Sequence, residues 1–425
     1  MSDLPSARVR ARLPVRARIH VRVRQARDSA AALRAVLDPP PVRLVAATSL
    51  VARLPKGMVP LATVLLLRQS AGSYAIGGLA VALIALGDAA SAPVQGWLAD
   101  RLGCGRVLIP TAAVHVAAVA ALLLLVRDRA PVAAVVACAG LAGIGLPPVS
   151  GSIKAAWPRL AGPADLPAAY ALESLLQQVV FLSGPLLVAV MTAAGGPAAA
   201  LACSAALVAV GTVSFAAALA RAAPARRTRR GQRAHGAWRL PAVRILGCAT
   251  MAQGLAFGAL PVGIAAVCAA ARHPGLAGIV LAALTAGGLA GAFGPVAAAG
   301  RRRYVRLCWL FAAALVPAAA LGVRPSAASL LGIGAALAAA GLLVTPIAAI
   351  SYVLTEQATT PAHRTEAFTW LSTGLAVGGA VGAALAGVLV SVAGPAVALA
   401  ILPAAIALSA LVAGTWLPGL TAPRS

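Results

Sequence analysis

Twelve long apolar runs follow one another almost without interruption between residues 44 and 417, and they leave this chain little choice of fold. Their approximate bounds are 44–67, 74–95, 106–126, 132–156, 167–193, 197–220, 241–269, 275–299, 304–322, 326–354, 364–392 and 395–417. Each is near or above the roughly 20 residues that a helix needs to cross a hydrocarbon layer of about 30 Å. Inside such a layer the backbone must bond to itself, which a helix does within one segment. The runs therefore predict an all-α membrane protein with twelve transmembrane helices. Hydrophobic residues fill 61% of the 425 positions and charged ones 11%, against roughly a quarter charged in soluble domains, so no soluble domain is expected beside the helices.

An even number of crossings puts both chain ends on one side. The loops at 96–106, 154–166, 221–240, 300–306 and 355–364 hold sixteen basic residues, whereas the opposite set holds five: Arg68, Arg127, Arg129, Arg272 and Arg324. Basic loops stay in the cytoplasm. The expectation is thus a multi-pass protein of the cell (plasma) membrane with both termini cytoplasmic. Residues 1–42, with nine arginines and three aspartates, read as a disordered basic cytoplasmic tail lying near anionic headgroups. They lack the apolar core and small-residue cleavage site of a secretory signal. The net charge of +25 comes from this arm and the loops, and no nucleic-acid partner is expected.

The chain also repeats itself. Gly196-Pro197-Ala198-Ala199-Ala200-Leu201-Ala202 recurs 198 residues later as Gly394-Pro395-Ala396-Val397-Ala398-Leu399-Ala400. The same offset pairs Gly143 with Gly341, Pro148 with Pro346, Ser174 with Ser372, Ala169-Tyr170 with Ala367-Phe368, and Gly96 with Gly294. One pair means little in an alanine-rich chain, but a constant offset over several helices marks a duplication. It predicts two six-helix bundles, 43–220 and 241–418, joined by a basic cytoplasmic linker at 221–240 and followed by a short tail at 419–425. Parallel repeats with a binding site at their interface are a recurrent transporter plan.

Between the second and third apolar runs lies Gly96-Trp97-Leu98-Ala99-Asp100-Arg101-Leu102-Gly103, followed by Cys104, Gly105 and Arg106. Glycine carries the left-handed dihedrals of a sharp two-helix turn. The pattern G-x-L-A-D-R-x-G resembles the corresponding loop of the major facilitator superfamily, and the resemblance extends over nearly all of 43–418. It implies a bacterial twelve-helix transporter working by alternating access, with Gly96, Asp100, Arg101, Gly103 and Arg106 as a conformational-switch loop. It also implies that Asp100 braces one state against the start of the eleventh helix, near Thr365 to Phe368. Two basic residues are usual after the second glycine of that pattern, and here Arg106 stands in for them. The family's arginine motif in helix four is replaced by Gly145-Leu146-Pro147-Pro148, so proton coupling through that motif is not expected.

Charges inside the helices nominate the rest of the site. Arg53 lies ten residues beyond Arg43, ~15 Å deep; Lys56 shares its face; and Pro55, Gly57 and Pro60 interrupt the helix around them. Asp88, at a similar depth in helix two, is the natural ion-pair partner of Arg53 and a candidate proton carrier. Intramembrane ionisable residues are functional suspects by default, and a fixed structural pair is the competing reading. Glu173 and Gln177 share a face at i and i+4, although Glu173 lies close enough to its helix start to be a wet interfacial acid. Gln253, Thr345, Ser351 and Tyr352 are the polar candidates in the second half, and His115 reads as a satisfied core histidine. The six cysteines sit singly, so neither a metal site nor a cofactor is expected, and no nucleophile–base pair suggests an enzyme.

Few amides and 4% aromatics argue against a sugar cavity. The expected function is secondary active efflux of amphipathic or anionic small molecules by a monomer in the lipid bilayer, with H+ as the candidate coupling ion. The alternatives are uptake of a small organic anion, or a transport-inactive membrane scaffold or sensor. The charge asymmetry of the loops makes a direct prediction. In a cysteine-free variant, single cysteines placed within 221–240 should be shielded from an impermeant thiol reagent in intact cells, and cysteines beside Arg127 or Arg272 should react. The reverse labelling pattern would overturn the orientation.

Overall fold

The computed structural model describes residues 34–162, 165–222, 237–292, 300–359 and 364–416, which are helical nearly throughout and contain no strand. The helices are α1 (Pro40–Ala71), α2 (Tyr74–Leu102), α3 (Cys104–Arg127), α4 (Val132–Ile144), α5 (Val149–Leu160) and α6 (Leu166–Ala222). They continue as α7 (Pro241–Ala270), α8 (Ala277–Ala292), α9 (Arg301–Leu321), α10 (Ala327–Gln357), α11 (Arg364–Ala393) and α12 (Pro395–Trp416). Among the described residues, eleven stretches are long and apolar enough to cross a membrane, with α4 and α5 together making one.

One of these stretches, Ala168–Ala222, has 55 residues, ~80 Å of helix, and it crosses twice. The backbone leaves helical geometry at Gly195 and Gly196. A Cβ on Gly57 would strike the Val180 carbonyl and the Cα of Gly184, and one on Gly211 would strike Ala52. Positions about 30 residues apart on α6 thus lie against a few residues of α1, which a straight helix forbids. The reversal needs glycine, because Gly196 has φ of 79°, where a Cβ clashes with the backbone. Its counterpart Gly394, between α11 and α12, has φ of 88°.

The fourth crossing was expected to be continuous and is instead broken. Pro147 and Pro148 have no N–H, so the carbonyls of Gly143 and Ile144 lose their i+4 donors. All four carbonyls of the last turn nevertheless find partners. Leu141 O accepts from Gly145 N at 3.0 Å and Gly143 O from Leu146 N at 3.1 Å. Ile144 O accepts from Gln95 Nε2 of α2 at 2.7 Å, and Ala142 O lies 2.7 Å from His115 Nδ1 of α3. A carbonyl only accepts, so Nδ1 carries the proton.

Close contacts reproduce the repeat in three dimensions. A Cβ on Gly87 would run into Gly140 and Gly143, and one on Gly287 into Ala338 and Gly341. The offset is 198 in the later helices, as the sequence indicates, but 200 in the second helix of each half. The second copy is therefore two residues shorter between these contacts. The matched position Gly294 lies outside the described residues. α1 and α7 occupy the centre, with 67% and 72% of their apolar windows buried, the two highest shares among the spans.

Three boundaries differ from expectation. Residues 34–37 are helical, and Val36 is buried against Val42, Val45 and Trp157, so the end of the expected tail belongs to the fold; residues 1–33 lie outside the described ones. Arg301, Arg302 and Arg303, expected in a loop, form the first turn of α9. Gly105 lies inside α3, and Gly103 alone, with φ of 89°, joins α2 to α3. Most of the linker, 223–236, is outside the described residues.

The α1–α6 contact can be tested at a single atom. The Cβ of Gly57→Ala would sit 2.5 Å from Val180 O, and overpacking of this kind costs about 1–3 kcal/mol. Gly105→Ala, which meets nothing within 4 Å, should be neutral. The fraction staying monodisperse in detergent after a heat step, read by size exclusion, should fall for the first variant only.

Candidate functional site

The four charged side chains expected inside the first half come together at α1, but not in the expected pairs. Arg53 Nη1 meets Glu173 Oε1 of α6 at 2.5 Å. Its Nε donates to Ser49 O at 3.1 Å and its Nη2 to Ser49 Oγ at 3.2 Å. Asp88 of α2 instead accepts from Lys56 Nζ at 3.0 Å. Arg53 and Lys56 are three residues apart, which leaves them about 60° apart around the helix. That divergence sends one base toward α6 and the other toward α2. Depth along the axis, which suggested Arg53 with Asp88, does not resolve this angle.

The two pairs also differ in environment. The Arg53 and Glu173 side chains are 1% and 4% exposed, whereas Lys56 and Asp88 are 30% and 32% exposed. Glu173 is therefore no wet interfacial acid: the first arm of α6 packs on α1 and α5, with Ala169 and Leu172 beside Val45 and Trp157 in one apolar cluster. Its Oε2 is buried without a hydrogen-bond partner among the described residues. No residue of α1 from 48 to 67 is fully exposed, and Lys56 is among its partly exposed positions. On α2, Ser91 Oγ donates to Asp88 O at 3.2 Å and Gln95 Nε2 to Ser91 Oγ at 3.2 Å. Gln95 was not foreseen as part of the site, although a glutamine seven residues from Asp88 lies on the same helix face.

Among the described residues, side-chain bonds and glycine contacts join the halves from mid-helix to the arginine-poor end. Tyr74 Oη donates to Ala265 O at 3.2 Å. Gln178 Nε2 donates to Thr345 Oγ1 at 3.2 Å, and Thr345 Oγ1 to Gly288 O at 2.7 Å. Gly78 abuts Ala383 and Gly387, and Gly278 abuts Pro185 and Ala189. These contacts are repeat-related, since Pro185 and Ala189 correspond to Ala383 and Gly387 at the offset of 198. Small residues at such crossings let backbones touch.

The remaining candidates fall in different places. Gln177 is half-buried. Gln253 does not line a shared cavity: it is buried within the second half, donating to Tyr304 Oη at 2.7 Å and Ser409 Oγ at 3.1 Å. Ser351 bonds to Ala348 O of its own helix. Tyr352 is 55% exposed, with its ring edge-on to Phe368 at 5.7 Å between centroids. In the switch loop, Arg101 stacks over Trp97 at 4.1 Å, Gly96 has open space around it, and Arg106 is exposed. The side chains of Asp100 and Thr365 lie outside the described residues, and the expected brace between them with it.

No protein-family model and no curated protein sequence matches the chain. Solved structures do. A point mutant of the nucleoside transporter NupG matches with a TM-score of 0.71 at 12% identity, covering 88% of this chain and 99% of the other. A bacterial homologue of the iron transporter ferroportin in its inward-facing state gives 0.65 at 14% identity, covering 88% and 96%. The human organic anion transporter MFSD10 (TETRAN) gives 0.56 at 20% identity, covering 88% and 100%. Twelve crossings, a duplicated bundle with α1 and α7 at its centre, and these likenesses lead to one conclusion: the chain has the fold of the major facilitator transporters.

Proposed function

We propose that this chain is a secondary transporter of small amphipathic anions, working by alternating access between two six-helix halves in the plasma membrane, with both termini cytoplasmic. The observation that carries the reading is the Lys56–Asp88 pair, 3.0 Å long and about one-third exposed beside the central helix. The proteins sharing the fold handle solutes as different as nucleosides and organic anions, so the fold selects none of them. Lys56 supplies the selection. It holds either the Asp88 carboxylate or the anionic group of a substrate, and protonation of Asp88 removes the competitor. Proton and anion then favour each other's binding, and that coupling is reciprocal, so they travel together.

Coupling of this kind drives uptake under an inward proton gradient. The efflux expected from composition remains as a second reading. It is favoured by the equal exposure of Asp88, since an amphipathic cation displacing Lys56 would compete with the proton and exchange against it. Arg53 and Glu173, wholly buried and bonded within the first half, clamp α1 to α6 and leave the transport path to the other pair.

Two measurements test this division. Proteoliposomes holding the purified chain should accumulate a radiolabelled naphthalene sulfonate, permanently charged in this range, when the outside is acidified. Lys56→Ala should lose uptake about tenfold or more, as expected when a charge-assisted hydrogen bond is removed. Asp88→Asn, a mimic of the protonated acid, should still exchange the sulfonate but no longer respond to pH. Accumulation of ethidium under an acid interior would favour the cation reading, and movement of neither probe would leave the scaffold reading. For the buried pair, Arg53→Ala or Glu173→Ala alone should destabilise by about 3–5 kcal/mol, whereas Arg53→Met with Glu173→Leu should restore thermal stability in detergent and retain transport. A double variant that folds and does not transport would move Arg53 and Glu173 into the path.

A further inference from the structure

At the arginine-rich end, outside the central path, a cavity of about 670 Å3 opens between the start of α3, the end of α5 and the end of α6. Arg106 of α3 and Arg159 of α5 line it, together with Ile109, Pro110 and Leu219. Both arginines are exposed, while Leu219 is 3% exposed and forms part of the apolar floor. The site thus pairs two guanidinium groups from different helices with an apolar pocket. The first turn of α3 adds to the positive field, because its N-cap Gly103 offers no side-chain acceptor to the free N–H groups.

What lies below the arginines indicates the ligand. The exposed residues of α3 recur at helical spacing on one face: Arg106, Ile109, Ala113, Val114, Ala117 and Leu124. Ile109, Val114 and Leu124 are 48%, 41% and 57% exposed. Only the first member of the stripe is charged, and Arg127 marks the far end of the helix, ~32 Å away, a distance that spans the hydrocarbon layer. A guanidinium at the membrane surface therefore heads an unbroken apolar track on the lipid-facing side. A free phosphate would use only the arginines. A neutral lipid would use only the track.

We propose that this cavity binds the headgroup of an anionic phospholipid, with Arg106 and Arg159 on the phosphate and the acyl chains running along the outer face of α3. Basic pockets between transmembrane helices are suited to such headgroups, and each basic residue near the surface contributes about 1 kcal/mol. The site sits on the Gly103 turn, the one-residue joint between α2 and α3, so a bound lipid would hold the switch loop against α5 and α6.

The test is native mass spectrometry of the delipidated full-length protein titrated with dioleoyl phosphatidylglycerol or dioleoyl phosphatidylcholine, which share acyl chains and differ in headgroup charge. The wild type should bind the anionic lipid more tightly, by roughly tenfold or more for two arginines. Arg106→Gln and Arg159→Gln should each weaken it about fivefold, and the double variant should bind both lipids alike. Arg127→Gln, at the other end of α3, should change nothing, and unchanged melting temperatures would show that the variants are folded. Equal binding of the two lipids by the wild type would overturn the site. So would a preference that survives the double substitution, or displacement of the lipid by millimolar inorganic phosphate.

Discussion

A helix broken in the middle of a bilayer exposes carbonyls that hydrocarbon will not satisfy, and the partners found for them at the end of α4 fix the geometry of the first half. Two of the four carbonyls are taken by the backbone of the break itself, at Gly145 and Leu146. The other two are taken by Gln95 and His115, which ties α2 and α3 to one turn of α4. Through Ser91, Gln95 lies on the same face of α2 as Asp88, so the bond that satisfies Ile144 also sets the rotation that aims Asp88 at Lys56. A structural requirement of the backbone thereby positions the most accessible charges of the interior.

The second half solves the same problem differently. Where the first copy has Pro147-Pro148, the second has Thr345-Pro346, and with one proline instead of two α10 continues unbroken from Ala327 to Gln357. The threonine hydroxyl is then available to bridge Gly288 of its own half and Gln178 of the other. On the central helices, Val42-Arg43-Leu44, Gly57 and Pro60 match Val243-Arg244-Ile245, Gly258 and Pro261 at an offset of 201, which puts Gly254 where Arg53 stands and Phe257 where Lys56 stands. Where α1 carries a buried ion pair, the buried polar side chain of α7 is neutral, with Gln253 bonded to Tyr304 and Ser409. Duplication preserved the packing, and the charges stayed on one side of it.

The two ion pairs illustrate how burial separates stability from availability. A charged pair wholly removed from water loses much on desolvation and recovers it only through close contacts on every side. Arg53 has three such contacts with Ser49 and Glu173, and exchanging any of them for a solute would strand a charge. Lys56 and Asp88 are about one-third exposed, so either can change partner at lower cost than the buried pair.

Much of this protein is determined by the sequence alone. Apolar length dictates twelve helices because a bilayer admits only self-satisfied backbone, and the recurrence of Gly196-Pro197 as Gly394-Pro395 dictates two copies because each reversal needs a glycine at positive φ. Candidate charges are equally legible, since a base or acid within an apolar run stands out one residue at a time. Their pairing is not. Arg53 with Glu173, 120 residues apart, depends on where α6 folds back and on the backbone contact of Gly57 with Gly184. The same holds for Gln253, which a linear reading places beside a cavity and the packing of α7 against α9 and α12 turns inward. Depth in a membrane follows from counting residues along one helix; rotation about its axis is decided by its neighbours, and only tertiary structure supplies them.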